Sequence, residues 1–318
     1  GIDTSDAFLV IGLAGAAAVL LLGTRWKRTA VVAIGATALG TALWAMHVYM
    51  PIAGTHWGMR EAVRRELTGM RRELPQFLEL LDEPLTPEEE QTVAELLEPA
   101  RRTEMEEIWM RWRWLEGATA QLEEATSQIS AFLDGWKTQP GDLGLQLDTL
   151  ARVAFEEGGR MNAHELADWL FAQRGGITRF RGNTKDYYSP LNSNLFWVIE
   201  TGLGNPLSLC SIYRFIGQRF GLDIGGCNFP GHFLARVQVD GKEWLVDCFN
   251  RGKFMDAESV AKHHPTSNPA MEDLVREPAS VNAILLRILR NLDEAFTRAD
   301  RFSERQFMRR LAVRVMED

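Results

Sequence analysis

Hydrophobic positions are distributed very unevenly along this chain. Residues 7–23 and 29–52 contain no Asp, Glu, Lys or Arg, and as helices they would extend roughly 26 and 36 Å. Segments of this length cross a bilayer core about 30 Å thick. The pattern therefore predicts a transmembrane helical hairpin within residues 1–56, with the lipid bilayer as a partner.

The charges around these segments predict an orientation. The connector between them carries Arg25, Lys27 and Arg28, and basic connectors stay on the cytoplasmic side. The arginines within residues 60–65 favour the opposite orientation, but they are interleaved with glutamates. We expect an inner-membrane protein whose remaining domain lies outside the cytoplasm, in the periplasm.

Residues 57–145 have a mainly helical pattern. Within them, Trp109, Trp112 and Trp114 are too close together to share one narrow stripe of an α-helix. They suit either a core helix between layers or a surface that binds a partner, because Trp and Arg are enriched at interfaces. We expect integral membrane protein partners to contact this segment and the transmembrane helices.

The clearest local pattern is a helix followed by a β-hairpin. Asn205 suits a helix N-cap and Pro206 the first helical position, and apolar residues then repeat at helical spacing. Asp240-Gly241 is a strong signal for a two-residue type I′ turn. The sequence predicts a helix over residues 206–220, with one buried stripe, and an antiparallel hairpin over residues 231–249.

The spacing of this hairpin brings a histidine and an aspartate together. A two-residue turn places Leu234 opposite Asp247, so His232 and Asp247 share one face, a diagonal step apart. A carboxylate beside a histidine can fix its tautomer and raise its basicity for catalysis. The same pair can serve as a structural hydrogen bond, and the spacing leaves both interpretations open.

Four segments resemble the SirB-type branch of the transglutaminase-like superfamily. They are FRGNTKDYYSPLNSNLFWVIETGLGNPLSL, RFGLDIGGCNFPGHFLARV, LVDCFNRGKF and ILLRILRNLDEAF. The resemblance covers residues 148–311 and implies an α+β fold with a papain-like core, a helix packed on a small antiparallel sheet, in a domain over residues 146–318. It also implies a Cys-His-Asp triad, in which His232 and Asp247 match the His and the Asp. The cysteine position falls on Pro206, where the SirB-type branch generally carries proline.

Two other side chains of the predicted helix are candidate nucleophiles. Cys210 lies one turn after Pro206, roughly 6 Å along the axis, although free cysteines are mostly buried. Ser208 lies in the first turn, where it can face His232 or bond the backbone at the cap. One hypothesis is therefore a non-catalytic accessory subunit or binding module of a membrane complex. The alternative is an acyl-transfer or peptidase-type enzyme with a displaced nucleophile.

Charge and cysteine content narrow the possible ligands. The net charge of −8 disfavours binding to nucleic acid and broad adhesion to anionic lipid. The chain has three cysteines and no CxxC or HExxH spacing, so we expect no metal and no cofactor. Cys227 and Cys248 flank the hairpin and could meet in an oxidising compartment, but we expect no disulfide.

Overall fold

The computed structural model describes residues 98–99, 101–173, 178–229, 231–257, 260 and 277–317. The chain divides into two units, Gly1–Glu104 and Met105–Asp318, and the fold below is that of the second. The two predicted transmembrane segments, residues 7–23 and 29–52, lie outside the described residues. Among the helices that are described, none combines the length and apolar character needed to cross a membrane.

The described part of this unit consists of helices around a small sheet. Its α-helices are α1 (Ala118–Leu133), α2 (Pro140–Gly158), α3 (Ala163–Phe171), α4 (Leu195–Thr201), α5 (Pro206–Arg219), α6 (Val281–Arg298) and α7 (Phe302–Met316). Two 3-10 helices cover Trp109–Trp114 and Pro190–Ser193. The strands are β1 (Arg181–Gly182), β2 (Leu203–Gly204), β3 (Ile224–Cys227), β4 (Leu234–Val239), β5 (Lys242–Asp247) and β6 (Lys253–Asp256). This arrangement is the predicted α+β core.

The strands form two sheets of different kinds. β3, β4, β5 and β6 are neighbours in that order in one antiparallel sheet, and β1 and β2 form a short parallel pair. The predicted hairpin is confirmed, because Ala235 pairs with Val246 between β4 and β5. Asp240 and Gly241 have φ angles of 51° and 74°, as a type I′ turn requires.

Helix α5 begins where the sequence predicts. Asn205 is its N-cap and accepts a hydrogen bond from the Ser208 amide, while the Ser208 hydroxyl accepts one from the Asn205 amide. The burial differs from the prediction of one buried stripe, because every residue from 206 to 217 is buried. The helix packs on β3 and β4 as well as on α1 to α4. It is therefore the central element of the fold.

The part of the predicted helical segment from Met105 onward belongs to the α+β unit. Helix α2 runs across the predicted domain boundary between residues 145 and 146. Helix α1 packs against α2, α5 and α6. From Met105 onward, the predicted helical segment belongs to the same compact unit as the sheet.

The three tryptophans of the middle segment have different environments. Trp109 and Trp112 are 0% and 1% exposed, whereas Trp114 is 85% exposed. The segment is a 3-10 helix, in which residues three apart lie on one face, and Trp109 Nε1 donates to the carbonyl oxygen of Leu311 at 3.1 Å. Trp109 and Trp112 are thus core residues, and only Trp114 of the three is available to a partner.

Candidate functional site

His232, in the turn before β4, and Asp247, the last residue of β5, lie in contact. His232 Nε2 lies 2.9 Å from Asp247 Oδ1. The direction of the ring N–H lies outside hydrogen-bond geometry, so the contact is an ion pair when the imidazole is protonated. The Asp247 side chain is buried, and that of His232 is 27% exposed. The pair therefore lies at the surface with its carboxylate underneath.

Asp247 is held by the turn that follows β5. Its Oδ1 accepts from the Asn250 amide at 3.0 Å, and its Oδ2 accepts from Asn250 Nδ2 at 2.7 Å. Burial raises the pKa of Asp247, but the contacts with His232 and Asn250 outweigh burial, and the pKa lies below its ordinary value. The carboxylate is thus ionised at neutral pH and has a fixed orientation.

Arg287 of α6 holds the turn that precedes His232. Its Nη1 donates to Asn228 Oδ1 and, at 2.8 Å, to the carbonyl oxygen of Phe229. Within the turn, the His232 amide donates to the same Phe229 oxygen at 3.1 Å. Burial lowers the pKa of Arg287. A side chain far away in sequence therefore fixes the backbone that carries His232.

The N-terminus of α5 carries a proline and a capping serine. Pro206 occupies its first position and is buried, and proline has no nucleophilic atom. The Ser208 hydroxyl donates to the carbonyl oxygen of Asn205 at 3.1 Å and accepts from its amide at 3.0 Å. This hydroxyl belongs to a capping box, and no hydrogen bond joins it to His232 among the described residues.

Cys210 lies in the core with a second cysteine. Its thiol donates to the carbonyl oxygen of Phe233 across a sulfur–oxygen distance of 3.7 Å, and the side chain is buried. Burial raises the pKa of the Cys248 thiol well above its ordinary value, and a hydrogen bond with Cys210 raises it further. Cys210, Cys227 and Cys248 are all free thiols in the structure. Cys210 is buried beside another thiol, and no hydrogen bond joins it to His232 in the described part of the chain.

This arrangement can orient a histidine and hold charge, and among the described residues no hydrogen bond joins a hydroxyl or thiol group to the imidazole. A nucleophile is activated by a base within hydrogen-bond reach, and neither Ser208 nor Cys210 has that contact. Across the described ranges, no group of three or more His, Cys, Asp or Glu side chains could hold a metal ion. The assignment of catalytic roles to these four side chains stays a prediction.

Fold and site together define a transglutaminase-like class of protein. The family model of the transglutaminase-like superfamily matches residues 142–290, which include α5, the whole hairpin and Arg287. UPF0162 proteins of Xylella fastidiosa strains Temecula1 and 9a5c are 35% and 34% identical to the chain, over 59% of it and 71% of each relative. The chain belongs to this family, the UPF0162 proteins. F-box only protein 21 of Homo sapiens is 30% identical over 36% of this chain and 19% of that protein. No solved structure matches the chain.

Sequence reasoning missed two residues that shape the site. Asn250 follows Asp247 by three positions, a spacing at which an Asp side chain commonly bonds the backbone of a turn, so a local signal existed. Arg287 lies 58 positions from Phe229, and no local pattern links the two. The first residue could have been found from the sequence, whereas the second needed the tertiary structure.

Proposed function

We propose that this domain is a non-catalytic, transglutaminase-like binding module that serves as an accessory subunit of a membrane protein complex. The observation that carries the proposal is Pro206 at the first position of α5. A helix N-terminus favours a thiolate through its dipole and free amides, but proline supplies no thiol. The two possible substitutes are engaged elsewhere, since Ser208 completes a capping box and Cys210 bonds Phe233 in the core.

The comparisons support the binding-module part of this proposal in one respect. The segment similar to this chain amounts to 19% of human F-box only protein 21. A domain of this type therefore forms a small part of a larger protein. We further propose that, within the superfamily, the chain belongs to the SirB-type branch, because that branch generally carries proline at the position of Pro206.

We also propose that residues 1–56 anchor the protein in the inner membrane, with the domain on the periplasmic side. The support is the length of the two segments without Asp, Glu, Lys or Arg and the basic connector between them. To test this, the full chain is expressed in a Gram-negative host and spheroplasts are treated with protease. We expect digestion of the domain and retention of residues 1–56 in the membrane after carbonate washing, whereas full protection would place the domain in the cytoplasm.

The proposal that Pro206 occupies the position of a nucleophile can be tested by placing a cysteine there. The full-length protein and its Pro206→Cys variant are treated with iodoacetamide at pH 7, and labelled peptides are quantified by mass spectrometry over time. Positions 206 and 210 are both buried, so we expect the new thiol to be labelled faster than Cys210 only because the helix N-terminus and His232 favour its thiolate form. The control is Pro206→Cys combined with His232→Ala, in which the new thiol should react more slowly.

Two results would contradict the proposal. Fast, stoichiometric labelling of Cys210 in the unchanged protein would restore the enzyme alternative. Equal labelling of the new thiol with and without His232 would show that the histidine does not face the helix N-terminus, and that Pro206 does not occupy a former nucleophile position.

A further inference from the structure

An exposed row of aromatic rings leads away from His232. We define the aromatic strip as the side chains of His232, Phe249, Tyr187, Tyr188 and Arg298. Centroid distances between neighbouring rings are 6.3 Å from His232 to Phe249, 5.9 Å from Phe249 to Tyr187 and 5.2 Å from Tyr187 to Tyr188. The Arg298 guanidinium lies 3.8 Å from the centre of the Tyr188 ring. The strip is at most roughly 20 Å long, which six residues of extended peptide would cover.

The two tyrosines are exposed, although the backbone of their loop is fixed by hydrogen bonds. Tyr187 and Tyr188 are 43% and 49% exposed, in the loop between β1 and the second 3-10 helix. The buried Asn192 amide donates to the carbonyl oxygens of Asp186 and Tyr187 at 2.7 and 2.9 Å and accepts from Asn183 Nδ2 at 2.9 Å. Buried polar networks of this kind fix a backbone, so the tyrosines are presented in a set position.

The Phe249 ring is also held in place by close packing. A Cβ atom on Gly182 would come within 2.6 Å of this ring, so the ring packs directly on the backbone of β1. Any larger residue at position 182 would therefore displace the ring. The middle of the strip is therefore as rigid as its tyrosines, and binding to it would cost little ordering entropy.

One end of the strip carries the Arg298 guanidinium, which forms an ion pair with Glu294 through one nitrogen and keeps further donors. Arg298 Nε donates to Glu294 at 2.7 Å, while its two terminal nitrogens have no partner within the described part of the chain. Stacking on Tyr188 holds the guanidinium plane in one orientation. A planar guanidinium with free donors is suited to a carboxylate.

We propose that the aromatic strip binds a short extended peptide segment of a partner protein, with a carboxylate of that segment at Arg298. This inference rests on the proposed function and identifies the chemistry of the partner. Tyr and Arg are enriched among the residues that contribute most to binding energy when an interface buries them. The strip ends at His232, so one member of the His232–Asp247 pair lies at one end of the binding surface.

A peptide suits the strip better than a nucleic acid does. Single-stranded nucleic acids also stack on aromatic rings, but their binding requires a positively charged groove. Here the protein carries a net charge of −8. A single arginine with free donors at one end matches one carboxylate rather than a row of phosphates.

The test uses three pools of N-acetylated hexapeptides with five randomised positions. The last residue is Glu with an amidated C-terminus, Gln with a free C-terminus, or Gln with an amidated C-terminus. The full-length protein is immobilised in mild detergent, and retained peptides are quantified by mass spectrometry. The first two pools distinguish a side-chain carboxylate from a C-terminal one, and the third carries neither.

We expect at least one carboxylate pool to be retained on the order of tenfold more than the third pool. The Arg298→Gln and Tyr188→Ala variants should lose this preference, and Tyr188→Phe should keep it because stacking remains. Matched controls outside the strip are Arg152→Gln and Phe155→Ala on α2, which change an exposed arginine and an exposed ring. Both should behave like the unchanged protein.

Each other outcome overturns the inference. Equal retention of all pools, unchanged retention by the strip variants, or tighter binding of an oligouridylate than of any peptide pool would show that the strip does not select a peptide carboxylate. A different result would contradict the proposed non-catalytic function. If peptides are recovered cleaved or covalently joined to one another, the protein is an enzyme. Intact peptides that are not retained would contradict only the present inference.

Discussion

Replacing Asp247 by Asn tests how much the Asp247 carboxylate, with its contacts to His232 and Asn250, stabilises the fold. The substitution keeps the shape of the side chain but removes its charge. It also places an amide donor against one of the two Asn250 donors, which lie 3.0 and 2.7 Å from the carboxylate. Hydrogen bonds to charged groups contribute about 1.5–3 kcal/mol each, and one of the two can still form. We therefore expect the free energy of unfolding to fall by about 2–3 kcal/mol at pH 7.

The pH dependence of this cost has a definite sign. Because the pKa of Asp247 is lowered in the folded protein, its ionisation stabilises the fold above the unfolded-state pKa of about 3.9. That contribution is lost as the pH falls through the lower pKa of the folded state. The difference in the free energy of unfolding between the unchanged protein and Asp247→Asn should have its largest value at pH 7 and should decrease below about pH 4.

Urea unfolding of the full chain in mild detergent, followed by near-ultraviolet circular dichroism at pH 7 and pH 3, measures both quantities. The control is Glu156→Gln, which removes an exposed carboxylate paired with Arg152 and should change stability by less than about 0.5 kcal/mol. A cost for Asp247→Asn as small as that of the control, or one that is equal at the two pH values, would refute the reasoning.

Three further substitutions or treatments follow from the structure. Trp112→Ala should lower the free energy of unfolding by about 3–5 kcal/mol because the side chain is fully buried, whereas Trp114→Ala should change it by at most about 0.5 kcal/mol; equal effects in urea unfolding would contradict the burial. Ser208→Ala should cost about 1 kcal/mol through loss of the capping box on α5 and should leave labelling of Cys210 unchanged, as measured by mass spectrometry. Burial raises the pKa of Cys227 to about 11, so Ellman's reagent at pH 7 should modify this thiol only after denaturation, and rapid modification of the native protein would show that it is accessible.

The sequence determined the local geometry of the site. The Asp240-Gly241 turn set the register of the hairpin, because a two-residue turn leaves one pairing for the strands that it joins. Side-chain alternation, continued to residue 232, predicted that His232 and Asp247 would meet, and they do, although His232 lies two positions before β4. The start of α5 is likewise set by neighbouring residues. Asn205 accepts a hydrogen bond from a free amide of the first turn, and Pro206 has no amide hydrogen that would need a partner. These features depend on residues close together in the chain.

Only the tertiary structure decided what surrounds those elements. The burial of Cys210 and of both sides of α5 follows from helices and strands that pack on it from distant parts of the sequence. Arg287 reaches the turn before His232 from α6, and the loop of Tyr187 meets Phe249 across the fold. Burial and contacts between distant side chains depend on which helices and strands pack against each other. Turn geometry and strand periodicity act over a few residues and cannot specify those meetings.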